Sequence, residues 1–210
     1  MNVKNTFYSH VFFLLLLVLC SARAAAANTL LILGDSLSAG YRLPIEQSWP
    51  ALMAKQWQQS GKKTALVNGS ISGNTVAQGL ERLPELLQQH NPKWVLIELG
   101  ANDGLRGFPI QNIEQDLQQS ITLIKQAGAQ PLLMQIQISP NYGKRYTESF
   151  AKIYPALAES NHIPLLPFFM EHVAIKPEWM QDDGLHPNQA AQPFIADWMS
   201  KKLSIYINSP

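Results

Sequence analysis

A three-layer α/β/α domain built on a parallel sheet is the fold class that this 210-residue sequence predicts, and three observations predict it. Five short apolar runs lack the period-two alternation of half-exposed strands, so each reads as a strand buried on both faces. Longer stretches between them carry apolar residues at helical spacing. Glycine and proline mark the joints, as at Pro92, Gly128 and Pro164. Strands that alternate with helices in this way pack as a parallel sheet covered on both sides.

In chain order, strands are expected at 29–33, 65–68, 94–99, 131–136 and 163–166. Helices are expected at 48–59, 76–89, 113–127 and 146–159, with a closing helix over 188–203. Pro155 and Pro193 fall inside two of these helices and predict a kink or a shifted boundary there, because each lacks an N–H. There is no internal repeat. An open parallel sheet binds ligands beyond the carboxyl ends of its strands, so the loops that follow the strands are where chemistry is sought.

The first 26 residues stand apart from this fold. Lys4 and His10 precede an apolar run from Val11 to Cys20, followed by small residues around Arg23, which is the layout of a secretory signal peptide cut after Ala26. The run is ten residues long, too short for the ~20 residues that cross a bilayer, so no stable membrane anchor is expected. Cys20 as a lipid anchor is disfavoured by the bulky Leu19 before it. Removing 26 of 210 residues leaves 184, residues 27–210, enough for one domain with its own core. Cys20 is the only cysteine and leaves with the leader, so the remainder has no disulfide, thiol nucleophile or cysteine-based metal site. Lys4 and Arg23 leave too, so 14 Lys and Arg face 15 Asp and Glu, and no basic stripe suggests nucleic acid.

Ser36 follows the first strand in Gly34-Asp35-Ser36-Leu37, where a turn can expose its hydroxyl to the crevice. That tripeptide is equally an ordinary cap. The C-terminal segment Asp182-Asp183-Gly184-Leu185-His186-Pro187 adds what a serine nucleophile needs. A neutral imidazole takes the hydroxyl proton, and a carboxylate on its other nitrogen holds the tautomer. Asp183 is better spaced than Asp182 to reach back around Gly184 to His186, and Asn188 is placed to cap the last helix. Three donors are available for an oxyanion: the amides of Ser36 and Gly73 and the side chain of Asn102. Asp35 and Asp103 read as carboxylates that fix these loops by accepting N–H bonds. A Gly-x-Ser-x-Gly elbow is disfavoured, since position 38 is serine.

Gly34-Asp35-Ser36-Leu37, Gly73, Gly100-Ala101-Asn102-Asp103 and Asp183-Gly184-Leu185-His186 resemble, in order and spacing, the four blocks of the SGNH (GDSL) hydrolases. The resemblance implies a flavodoxin-like five-stranded sheet, a Ser36/His186/Asp183 triad, and an oxyanion hole from Ser36, Gly73 and Asn102. It also implies a periplasmic serine hydrolase acting on a small acyl ester or thioester, including acyl-CoA and lysophospholipid, without cofactor or metal. Asn74 departs from the pattern, where relatives often carry aspartate.

For substrate, the loop from Gly104 to Pro109 is a candidate lid, with Leu105, Phe108 and Pro109 offering apolar surface and Tyr142 the opposite wall. Arg106, Lys144 and Arg145 either meet a substrate phosphate or are solvated. A monomer is expected. An acyl-binding module without turnover and an esterase for acetylated sugars are the competing readings.

Overall fold

The computed structural model describes residues 28–207, and the expected leader with its cut after Ala26 lies outside them. Five parallel strands form one sheet: β1 (Thr29–Gly34), β2 (Ala65–Asn68), β3 (Trp94–Glu98), β4 (Gln130–Met134) and β5 (Leu165–Leu166), in spatial order β2-β1-β3-β4-β5. Every residue of β1 and β3 is buried. That explains why the apolar runs carry no alternation: both faces of the central strands meet helices.

The long helices are α2 (Trp49–Gln59), α3 (Val76–His90), α5 (Ile110–Gln126), α6 (Lys144–Asn161) and α8 (Gln192–Ile207). Short helices α1 (Ser36–Ala39), α4 (Ala101–Leu105) and α7 (Met170–Val173) sit in segments that sequence periodicity leaves as loops, because four or five residues show no repeat. Helices α2 and α8 pack against each other, while α3 packs on α5 and α5 on α6. The three-layer expectation holds. No helix of the described residues is long and apolar enough to cross a membrane.

Three strands are shorter than expected, β3 by the single residue Leu99. β5 is two residues long because the Ile163 amide is spent on the Ala158 carbonyl at the end of α6, and Pro164 has no amide to give. β4 ends at Met134, before Ile136, although Ile136 is fully buried. α6 continues past Pro155, which does not mark a boundary. The carbonyl of Ala151, which a residue 155 amide would have satisfied, instead accepts the Gln135 side-chain amide at 3.1 Å. Pro193 lies in the first turn of α8, where its missing N–H costs nothing.

The order reverses at β1 and β3, which run side by side with their following loops diverging. The crevice therefore opens between the loop after β1, which carries Ser36, and the loop after β3, which carries Asn102. Gly100 sets the second of these: its φ of 118° is left-handed, and a Cβ there would overlap the Tyr154 hydroxyl, which donates to the Leu99 carbonyl at 3.0 Å. Gly100→Ala is expected to destabilise the fold by about 2–4 kcal/mol. Urea unfolding monitored by tryptophan fluorescence measures that loss.

Candidate active site

Ser36 is the first residue of α1, and Asp35 caps that helix by accepting the Leu37 amide at 3.0 Å. Capping and exposure of the serine are thus one arrangement, not alternatives. Gly34 is required by contact as well: a Cβ there would stand 2.7 Å from Ser70 Oγ and 2.8 Å from Glu98 Oε2.

His186 and Asp183 come from the segment between β5 and α8. The imidazole Nε2 lies 2.8 Å from Ser36 Oγ, and Nδ1 lies 2.7 Å from Asp183 Oδ2. The other Asp183 oxygen accepts the amides of Leu185 at 2.9 Å and His186 at 3.0 Å, across Gly184 at a left-handed φ of 65°. Partial burial alone would raise this carboxyl. The amides of His186 and Leu185, and then the imidazole, outweigh burial and bring it down to about 2. Asp183 is therefore held toward its charged form and faces an imidazole bonded to it through Nδ1. Asp182 is exposed. Asn188 caps the helical segment that follows, its Oδ1 accepting the Ala190 amide at 2.9 Å.

Two further residues hold His186 in place, and sequence reasoning passed over both. The Tyr41 ring packs on the imidazole with centroids 4.3 Å apart, and Arg42, at a left-handed φ of 58°, lays its guanidinium over Tyr41. The Gln181 side-chain amide donates to the carbonyls of Tyr41 at 2.9 Å and Pro187 at 3.0 Å, which ties the loop after β1 to the histidine segment. An aromatic residue five positions beyond a candidate nucleophile carries no signal of this by itself.

The third element is Asn102, in the first turn of α4. Its side-chain amide donates to the Asn74 carbonyl at 3.0 Å and to Asp35 Oδ2 at 3.2 Å. Asp35 so anchors both the turn that carries Ser36 and the Asn102 side chain. Asp103 reaches across to the first amide of α3, Val76, at 3.0 Å, clamping the loops after β2 and β3 together. Gly73 lies on the loop after β2 at a left-handed φ of 82°. Its carbonyl accepts the Arg106 guanidinium at 3.2 Å, so Arg106 serves that loop. Asn74 accepts Arg82 Nε at 2.9 Å through its side chain, a bond a neutral amide oxygen can make.

Ser36, Asn102 and His186 open onto a cavity of about 350 Å³. Its walls are mainly apolar: Leu37, Leu105, Ile138, Tyr142, Phe168, Met170 and Met180 contribute. Leu105 and Tyr142 stand where they were expected. Phe108 and Pro109 do not line it. The segment to Leu105 is helical, and the Phe108 amide then bonds back to the Asp103 carbonyl, so the chain has already turned away. The Phe108 carbonyl accepts the Tyr146 hydroxyl, and Pro109 leads into α5. Gly104 is packed against Ile138 and Phe150 and does not serve as a hinge. Phe168, Met170 and Met180 were missed as walls, since their distance in sequence from Ser36 conceals their approach. Among the described residues, no group of three or more His, Cys, Asp or Glu is arranged to hold a metal ion.

Residues 32–192 match the GDSL-like Lipase/Acylhydrolase family. The chain belongs to that family. It is 61% identical over 208 residues to the thioesterase 1/protease 1/lysophospholipase of Escherichia coli, covering 99% of this chain and 98% of the relative. An arylesterase of Vibrio mimicus is 56% identical over 190 residues, covering 90% and 95% of the two chains. A crystal structure of a psychrotrophic esterase from Pseudoalteromonas, inhibited by monoethylphosphonate, superposes with a TM-score of 0.85 at 43% identity, covering 87% of this chain and all of that one. This GDSL hydrolase acts on ester bonds and has the fold its solved relatives share.

Burial pushes the Asp35 carboxyl of the GDSL hydrolase up to about 7, against the pull of the Leu37 amide and the Asn102 side chain. A carboxyl raised by folding binds its proton more tightly in the native state than in the unfolded chain, so stability falls as pH rises from the unfolded value through the folded one. Stability to urea is expected to decline between about pH 4 and pH 7, and Asp35→Asn to flatten that decline. Denaturation midpoints across this range measure it.

Proposed function

We propose that the chain is a periplasmic serine esterase and thioesterase that works through an acyl-enzyme on Ser36. The observation that carries this reading is the continuous hydrogen-bonded line Asp183–His186–Ser36, at 2.7 and 2.8 Å, ending in an apolar cavity. Ser36 Oγ attacks the acyl carbonyl carbon while His186 Nε2 takes its proton. Asp183, held ionised by its amides, accepts the Nδ1 hydrogen and stabilises the imidazolium. Negative charge develops on the carbonyl oxygen and is met by the amides of Ser36 and Gly73 and by Asn102. For Asn102 to donate there, one of its two present bonds gives way, and the 3.2 Å contact to Asp35 is the longer of them.

Collapse of the tetrahedral intermediate breaks the carbon–oxygen or carbon–sulfur bond, and His186 passes its proton to the departing alcohol or thiol. The cycle then runs again with water as the nucleophile, returning Ser36 and releasing the acid. The cavity offers apolar walls to an acyl chain, and the side open to solvent leaves the leaving group unconstrained. Breadth toward acyl-CoA thioesters, lysophospholipids and simple esters fits that division, and the names of the relatives support it. The leader read from residues 1–26 supports export. We take the working unit to be residues 27–210, as a monomer.

Ser36→Ala is expected to lower kcat/KM for p-nitrophenyl and acyl-CoA substrates by at least about 10³-fold while the variant keeps its far-UV spectrum. Turnover that survives the substitution would contradict the mechanism. Acidification is expected to abolish activity because a protonated imidazole cannot accept the Ser36 proton. Asp183, at about 2, contributes nothing to that loss. A pH–rate profile with no acid limb would be incompatible with His186 as base.

A further inference from the structure

A second carboxyl lies beneath the nucleophile. Glu98 is the last residue of β3, fully buried, and in register with Gly34 of β1. Its Oε2 accepts the Ser38 hydroxyl at 2.5 Å, and the carboxyl also receives the backbone amide of Asp35. One of these donors stands immediately before Ser36 and the other two residues after it. The Ser70 hydroxyl, from the loop after β2, approaches the same point, since it and Glu98 Oε2 are the two atoms that would crowd a Cβ on Gly34. Ser70 Oγ and Glu98 Oε1 are buried and find no hydrogen-bond partner among the described residues.

An acid inside an otherwise apolar, fully buried strand is unusual and costly unless it has work to do. Glu98 bonds on both sides of the nucleophile, in a place where leucine would fill the core at less cost. We propose that Glu98 is a positioning residue for ester hydrolysis, holding the Asp35–Ser38 turn so that Ser36 Oγ meets His186. This rests on the reading of Ser36 as nucleophile.

The groups that face Glu98 are Asp35 on the turn above it, Tyr154 from α6, and the Ser38 and Ser70 hydroxyls. None is a cation, and Glu98 has no ion-pair partner among the described residues. Burial, and then the Asp35 charge, push the Glu98 carboxyl well above the ordinary range, against the weaker pull of Ser38 and the Asp35 amide. Of the two carboxyls Asp35 takes the charge first, because both of its oxygens already accept N–H bonds while Glu98 Oε1 accepts none. Glu98 is therefore the carboxyl that keeps its proton longer. Its ionisation in alkali sets two negative charges against each other under Ser36 and loosens the turn.

The test compares Glu98→Gln, Glu98→Ala and Ser38→Ala with the parent enzyme. Each preparation is titrated with a fluorophosphonate so that kcat is expressed per reactive serine, and kcat and KM for p-nitrophenyl butyrate are followed across about pH 5 to 10. Glutamine reproduces the shape and donor-acceptor character of a neutral acid. Glu98→Gln is expected to keep kcat within about 3-fold at pH 7 and to lack the parent's alkaline decline. Glu98→Ala is expected to lower kcat by about 10-fold or more with KM within about 2-fold. Unchanged kcat in Glu98→Ala would overturn the proposal, as would a glutamine variant as damaged as the alanine one or one that keeps the alkaline decline.

Should Glu98→Ala fail to fold, Ser38→Ala decides: a kcat lower by about 3- to 10-fold at constant KM supports the proposal, and an unchanged kcat overturns it. Failure of the nucleophile reading shows separately, as fluorophosphonate attached to a residue other than Ser36 in the parent.

Discussion

Everything at the crevice depends on one contact, the 2.8 Å hydrogen bond between Ser36 and His186, whose partners are 150 positions apart in the chain. Neither residue has any chemistry without the other. To bring them together, the protein places its first strand near the centre of the sheet and returns its last long segment over the carboxyl end of that strand. The parallel sheet supplies the scale, and local ties supply the precision. Gln181 bridges the two loops, Tyr41 packs on the imidazole ring, and Asp183 holds the other ring nitrogen.

The carboxyls around this contact are treated in opposite ways. The Asp183 side chain is about a quarter open to solvent and receives two amides and an imidazole, so it is held toward the anion. Asp35 and Glu98 are buried on the far side of Ser36 and are pushed toward neutrality. Charge is thus concentrated on the histidine's outer side and suppressed beneath Ser36. In the proposed mechanism, an oxyanion forming at Ser36 would meet hydrogen-bond donors, with the nearest buried acid kept from opposing it. The arrangement lowers stability at higher pH in exchange for a turn that is fixed before substrate arrives.

What could be read from the sequence follows from which interactions are local. The five strands and the long helices were legible because burial on two faces, or on one helical stripe, imposes a repeat on the side chains. Their ends were less so. β5 stops short because Ile163 spends its amide on α6, a competition between two elements that no single window contains. Ser36, Asp183, His186 and Asn102 were legible as residue types in strand-end loops with a recognisable order, and the structure brings Ser36, His186 and Asn102 to one cavity with Asp183 bonded behind the imidazole. Phe108 and Pro109 were misplaced because a five-residue stretch of helix, set by Gly100 and Asp103, turns the chain before it reaches them. Tyr41 and the walls at Phe168, Met170 and Met180 were hidden, since a cavity wall is defined by what faces it across space. Glu98 did leave a trace, as the one acid in an apolar run, but its partner Ser38 and its neighbour Ser70 come from other strands' loops.

The central claim is that acyl transfer passes through a covalent bond to Ser36. The most direct measurement is acid quenching of the enzyme during the first turnovers of a p-nitrophenyl ester, followed by mass spectrometry of the digested protein. An acyl increment on the peptide that carries Ser36, appearing as fast as the first equivalent of p-nitrophenol, is the predicted result. Product release with no covalent increment, or an increment on another residue, would contradict the account.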